Sequence, residues 1–195
     1  MSLRSKILLG TLWFTSVALV GVGAYFGGWS AEAKFEDLNT TSAPELKLKD
    51  QGRYEEAAQT VLDRVREGLP EAEADSEVAL IYLNRAKKDL PNREQWAQQA
   101  VPYLDKAAAL APHDPFILES AMDDFNTVGD YSENGCPYYE KAVQFGQAVL
   151  ALLQGKSVTV EGHVRSYPAQ PIREGIEPTL KRIREKVEAC CKKKP

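Results

Sequence analysis

Hydrophobic and polar residues follow a helical period through the middle of this chain. Apolar positions recur every three or four residues between about residues 43 and 153, and short turns with proline or glycine separate the runs. The pattern predicts a helix pair over 43–68 with a break at Gly52, followed by helices over 74–88, 93–111, 115–128 and 137–153. We therefore predict an all-α fold.

Individual residues indicate where these helices begin and end. Asp75 and Ser76 are good N-cap residues and are predicted to open the helix over 74–88. Gly129 is predicted to end the helix over 115–128, which Pro115 begins, since proline suits the first helical position. Pro102 lies within a predicted helix and is expected to kink it.

The first thirty residues form a separate segment with a different pattern. Arg4 and Lys6 precede a run of 23 uncharged residues from Ile7 to Trp29. A helix of that length spans about 34 Å, enough for a hydrocarbon core of about 30 Å. We predict a transmembrane signal anchor over 1–30 and a polar tether over 31–42. The basic side precedes the run, so the positive-inside rule places the N-terminus in the cytoplasm and the remainder on the exported side.

A cleaved signal peptide is the alternative for this segment. Ala31-Glu32-Ala33 offers an A-x-A cleavage site, and cleavage would make the protein secreted. The apolar run is longer than the usual 7–15 residues of a signal peptide. The uncleaved anchor is therefore the preferred interpretation.

The C-terminal part departs from the helix–turn–helix pattern. Residues 154–174 contain alternating residues, glycine and prolines, and are predicted to form a loop or a short hairpin. A C-terminal amphipathic helix is predicted over 175–192, because apolar residues recur there at helical spacing. These apolar residues are Ile176, Leu180, Ile183 and Val187.

Small residues recur in the predicted helices at positions that suit close helix contact. Ala100 and Ala107 would let two helix backbones approach, and Leu104 and Leu110 are predicted to fill the groove between those helices. Ala142 lies 35 residues beyond Ala107. A period near 34 residues is typical of helical-repeat arrays, in which stacked helix pairs bury a continuous core.

On these residues, the segment over 43–153 resembles the tetratricopeptide repeat (TPR) family. QGRYEEA (51–57) is similar to the family's turn into its second helix, and AVPYLDKAAALAPHDP (100–115) to the second helix with its terminal proline. VGDYSENGCPYYEKAV (128–143) matches with a replaced alanine and an inserted residue. The resemblance implies a non-enzymatic module that binds a protein or peptide in a groove lined by the first helix of each pair.

The resemblance also implies which side chains face that groove. In the best-aligned pair they would be Glu119, Asp123 and Asn126. TPR proteins that bind chaperones use lysine, arginine and asparagine there to hold a terminal carboxylate. This acidic set disfavours such an adaptor and favours a basic or apolar partner segment. A solvated surface is the alternative interpretation of the same residues.

Composition and charge exclude several other function classes. A net charge of -4 and a pI near 5.4 give no basic face for nucleic acid. His113 and His163 lack metal-ligand spacing, and QGKS (154–157) has Leu150 where a phosphate-binding loop needs glycine. The sequence predicts no enzyme, no cofactor and no metal site.

The three cysteines leave their pairing open. Cys190 and Cys191 are adjacent, about 3.8 Å apart at their Cα atoms, which is short for an unstrained disulfide. In an exported domain one of them would be able to pair with Cys136 or with another chain, and unpaired packing is the remaining alternative.

The leading functional interpretation is a membrane-tethered scaffold of the bacterial envelope that binds a protein partner. The alternative is an assembly or oligomerisation factor that acts through the helix over 175–192, docked on its own array as a cap or on another copy. A third hypothesis is an envelope enzyme, but no residues of the sequence support it.

Overall fold

The computed structural model describes residues 44–155, 157–159 and 166–191. The chain divides into two units between residues 46 and 47, and nearly all of the described residues belong to the second unit, 47–195. The predicted anchor over Ile7–Trp29 and the tether over 31–42 lie outside the described residues. Within the described part, no helix is both long enough and apolar enough to cross a membrane.

The described residues are mainly helical, which confirms the all-α class. In the described part of the chain, seven α-helices follow one another, with two short 3-10 turns at Val65–Glu67 and Leu90–Asn92. The helices are α1 (Pro44–Asp50), α2 (Tyr54–Arg64), α3 (Glu71–Lys88), α4 (Arg93–Leu110), α5 (Pro115–Tyr131), α6 (Cys136–Leu152) and α7 (Ala169–Cys191). Between α6 and α7, β1 (Ser157–Thr159) pairs antiparallel with β2 (Ser166–Pro168). Of the alternatives predicted for this segment, paired strands fit a short hairpin.

Two hydrophobic clusters hold the second unit together. Residues of α2 and α3 form one cluster around Val61 and Val78, and residues of α3 to α7 form the larger one around Phe125. From α2 to α7, consecutive helices pack in order along the chain, and α3 also contacts α5 directly. We refer to α3 with α4 and α5 with α6 as the two central pairs. The first helices of these pairs, α3 and α5, are therefore neighbours.

The small residues of α4 lie where close helix packing requires them. Ala100 and Ala107 are buried, as is Leu104, which is 1% exposed. The prediction for Leu110 is wrong, because its side chain is 48% exposed at the end of α4. Leu110 is the last residue of that helix, and no facing helix covers it there in the described part of the chain.

Two predicted helix ends are also wrong. α3 begins at Glu71, so Asp75 lies inside the helix, where its buried carboxylate pairs with Lys106 Nζ at 3.0 Å. Gly129 lies inside α5, which continues to Tyr131. Glycine ends helices by taking a positive φ, as Gly52 does after α1, whereas Gly129 gives space to a ring: a Cβ there would come 2.5 Å from Cε1 of Tyr139.

The C-terminal helix begins at Ala169, earlier than the predicted start at residue 175. Pro171, within the segment predicted to be non-helical, lies in the first turn of α7, where a backbone N–H has no partner within the helix and proline is tolerated. Ile176, Leu180 and Ile183 are buried, so the apolar stripe of α7 packs within this chain, mainly against α6.

A disulfide joins the first residue of α6, Cys136, to the last residue of α7, Cys191. Their Cα atoms are 5.6 Å apart, which is within the usual range. Of the pairings that the sequence left open, the structure has this one. Cys190 is a free, exposed cysteine.

Candidate binding groove

A groove runs between α3 and α5, the first helices of the two central pairs. Its volume is about 510 Å³. Asp114 fixes the start of α5 by accepting hydrogen bonds from the backbone N–H groups of Phe116 and Ile117, at 2.8 and 3.3 Å. The groove is lined by Glu73, Ser76, Glu77 and Leu80 from α3 and by Ile117, Ser120, Asp123 and Asp124 from α5.

A second cavity of about 580 Å³ adjoins this groove at the helix ends. The two cavities share Glu73 and Ile117, and the second one reaches Leu110 and His113 at the turn between α4 and α5. We call the two together the α3–α5 groove. It carries apolar positions along its length, including Leu80, which is 49% exposed.

The three predicted partner residues lie on α5, and the structure does not bring all of them to the α3–α5 groove. Asp123 lines it. Asn126 instead accepts a hydrogen bond from Lys186 Nζ of α7 at 2.8 Å. Glu119 is half-buried and is not among the groove-lining residues. The three residues therefore do not share one site, because Asp123 lies in the groove whereas Asn126 contacts α7.

Sequence reasoning missed the α3 side of the groove. Glu73, Ser76, Glu77 and Leu80 have helical spacing, a signal that the sequence does contain. The predicted helix start at residue 74 left Glu73 outside the helix and gave Ser76 a capping role. Asp124 was missed as well, because the resemblance pointed to the neighbouring position.

Burial raises the pKa of three carboxyl groups on α5, of which those of Asp123 and Asp124 line the groove. Burial raises the pKa of Asp124 to about 7, and the negative charge of Asp123 adds to the effect. Burial also raises the pKa of Glu119 and that of Asp123, the latter opposed by the positive charge of Arg182. An added positive charge in this groove would stabilise the ionised carboxylates.

This environment predicts a pH-dependent stability. An unfolded aspartate has a pKa near 3.9, so between about pH 4 and pH 7 the folded protein holds a proton on Asp124 that the unfolded chain has released. Stability should therefore fall as the pH rises through this range. We expect Asp124→Asn to stabilise the protein by about 2–3 kcal/mol more at pH 8 than at pH 5.

Urea denaturation at the two pH values measures this difference. Asp63→Asn is the control, because Asp63 is exposed on α2 and its replacement should leave the pH dependence unchanged. Equal effects of Asp124→Asn at both pH values would contradict the prediction.

One other cluster has the composition of a metal site. Among the described residues, Cys136, Glu140 and Cys191 place their ligand atoms within 4.8 Å of one another. The two sulfur atoms are bonded to each other as a disulfide. In this state they are not thiolate ligands, so the cluster does not provide a metal centre.

Comparison with known proteins gives no relative for this chain. No protein-family model, no curated protein and no solved structure matches it.

Proposed function

We propose that this protein is a membrane-tethered interaction module whose TPR-like helices bind a partner protein in the α3–α5 groove. The observation that carries the proposal is the groove itself, which combines acidic side chains with the exposed Leu80 between two neighbouring helices. Its charge is complementary to a basic segment, and its apolar positions suit hydrophobic anchors on that segment.

The helix arrangement supports a TPR-like organisation. Ala107 of α4 and Ala142 of α6 are both buried, and each lies in the second helix of a pair. The spacing of the pairs is wider than the ~34 residues typical of these repeats, since α3 begins at Glu71 and α5 at Pro115. The proposed array is thus an elongated variant with two central pairs.

The proposed location is the exported side of a membrane, with residues 7–29 as the anchor. The Cys136–Cys191 disulfide supports this location, because disulfides persist in oxidising compartments and are rare in the cytosol. The alternative, an assembly factor that docks α7 on another protein, has less support. The apolar stripe of α7 is buried in its own chain, as expected for a cap.

Site-specific crosslinking in membranes tests the proposal. A photoreactive residue at Ser120, which is exposed in the groove, should give discrete adducts with a partner protein. The same residue at Gln95, which is exposed on α4, should not. Adducts of equal yield and identity from both positions would contradict groove binding.

A matched pair of charge reversals tests the chemistry of the partner. Asp123→Lys should reduce the Ser120 adducts at least about fivefold, because it places a positive charge against a basic segment. Glu67→Lys makes the same charge change at an exposed position after α2 and should leave the yield unchanged. Equal loss in the two variants would indicate an effect of net charge instead of a groove contact.

A further inference from the structure

The end of α7 is held differently from the rest of that helix. Ile183 is its last buried residue, and the side chains from Arg184 to Cys191 are exposed or half-buried. In the last two turns, core contact among the described residues is reduced to the half-buried Val187, which packs against the larger hydrophobic cluster.

Lys186 is one attachment of this end. Its Nζ donates hydrogen bonds to Asn126 at 2.8 Å and to both carboxylate oxygens of Asp130, at 2.6 and 2.7 Å. The same ammonium lies 5.1 Å from the ring centre of Tyr139, whose hydroxyl donates to Asp130 at 2.7 Å. These contacts are polar and partly exposed, so solvent competes with them.

The disulfide is the second attachment, and it lies at the last residue of the helix. Cys136 and Cys191 are both half-buried, so solvent reaches this region of the protein surface. The neighbouring Cys190 is exposed and free. A disulfide in this position crosslinks helix ends at the surface, outside the two hydrophobic clusters.

We propose that the Cys136–Cys191 disulfide is a thiol-exchange site for a dithiol reductant, and that its opening detaches α7 from Arg184 onward. Detachment uncovers Tyr139, Asp130 and Asn126, which together bind the ammonium of Lys186 in the closed state. The thiol state of the protein then controls access to this surface, which α5 and α6 form together.

The dithiol reductant supplies both thiolates and both electrons that the exchange requires. One thiolate of the reductant attacks Sγ of Cys191, forming a mixed disulfide and releasing Cys136 as a thiolate. The second thiolate of the reductant displaces Cys191 from the mixed disulfide. Two electrons pass from the dithiol to the protein, the reductant leaves as a disulfide, and both cysteines become thiols by taking up protons.

The position of Cys136 favours this direction of attack. It is the first residue of α6, where the helix dipole stabilises a negative charge on the departing sulfur. Glu140 opposes this effect, since its Oε1 lies 3.9 Å from Cys136 Sγ. Cys191 is at the opposite end of its own helix, where the dipole gives no such stabilisation.

The opening is local, because the remainder of α7 keeps its buried residues. Ile176, Leu180 and Ile183 pack in the core whether or not the sulfur atoms are joined. Arg173 also donates a hydrogen bond to the backbone carbonyl of Leu153 at the start of the helix. We therefore expect the reduced protein to stay folded with a frayed C-terminal end.

Hydrogen exchange of the full chain, oxidised and after treatment with dithiothreitol, tests the proposal. In brief labelling, which samples local opening, amides of residues 184–191 should exchange at least about tenfold faster in the reduced protein, and those of α3 should stay protected in both thiol states. A chelator in both samples keeps metal ions off the two thiols and Glu140. Mass spectrometry of the alkylated protein reports the thiol state of each cysteine.

Three variants serve as controls. Cys136→Ser should exchange as the reduced protein does, with or without dithiothreitol, and Cys190→Ser should respond as the natural sequence does. Lys186→Met should add to the exchange of the reduced protein, because it removes the hydrogen bonds of the Lys186 ammonium to α5.

Several results would overturn the proposal. One is that the Cys136–Cys191 bridge stays closed when the folded protein is treated with dithiothreitol. Another is that Cys136 and Cys191 are not joined in protein purified under oxidising conditions. Equal exchange of residues 184–191 in the two thiol states would exclude detachment. Loss of protection across α3 to α6 in the same brief labelling would indicate global loosening instead of a local opening. None of these results depends on partner binding in the groove.

Discussion

Leu104→Ala is expected to lower the free energy of unfolding by about 3 kcal/mol. The Leu104 side chain is 1% exposed and belongs to the larger hydrophobic cluster, in which α4 supplies small residues on either side of it. Ala100 and Ala107 cannot fill the space that the truncation leaves, because they are as small as the new residue. The loss of unfolding free energy therefore has two parts. One is the cavity that remains, and the other is the transfer free energy of the apolar atoms that are no longer buried.

The same helix offers a matched control. Leu110→Ala removes the same atoms from α4, but the Leu110 side chain is 48% exposed at the helix end. We expect a change within about 0.5 kcal/mol, as for other exposed positions. Urea denaturation followed by circular dichroism measures both variants. Similar losses for Leu104 and Leu110 would contradict the burial that the structure assigns to them.

Removing the disulfide should have an effect of similar size. The bridge joins residues 55 positions apart, and closing a loop of that length restricts the unfolded chain by about 4 kcal/mol in the chain-entropy model. We expect Cys136→Ser combined with Cys191→Ser to lower the free energy of unfolding by about 2–4 kcal/mol. Folding itself should persist, because the buried residues of α7 are unchanged.

Cys190→Ser is the matched control for this pair, since it changes a free, exposed cysteine beside the bridge. Its effect should be within about 0.5 kcal/mol. Denaturation under non-reducing conditions compares the three proteins, and addition of a reductant should make the natural sequence match the double variant. A double variant as stable as the natural sequence would show that the bridge does not constrain the unfolded chain.

The helical class of this protein was predictable because it depends on local patterns. Apolar spacing located most helices to within a few residues, and Gly52, with its positive φ, ended α1 as predicted. The predictions failed where a residue's role depends on a distant partner. Asp75 has the chemistry of a helix cap, but Lys106 of α4 makes it a buried member of an ion pair.

Gly129 and Pro171 show the same limit. Gly129 is a typical helix terminator by type, and only the ring of Tyr139 explains why it lies inside α5. Pro171 breaks a helix in its middle but not in its first turn, so its effect depends on where the helix begins. Leu110 has the apolar character of a core residue, and only the position of the helix end leaves it exposed.

The candidate groove was partly predictable for a related reason. The resemblance indicated the helix that supplies Asp123, but a groove needs two walls, and the sequence does not state which helices are neighbours. The direct contact of α3 with α5 brings Glu73 and Glu77 opposite Asp123 and Asp124. Asp124 then acquires its raised pKa from burial, a property of the packed structure and not of local sequence.

The position of the disulfide has a consequence for limited proteolysis. Because it joins the beginning of α6 to the end of α7, the backbone between Cys136 and Cys191 and the bridge form one covalent ring that contains both helices and the β-hairpin. One cut in the backbone opens this ring without separating its parts. A protein cleaved between β1 and β2 therefore keeps α7 covalently attached to α6, and its fragments separate only after reduction.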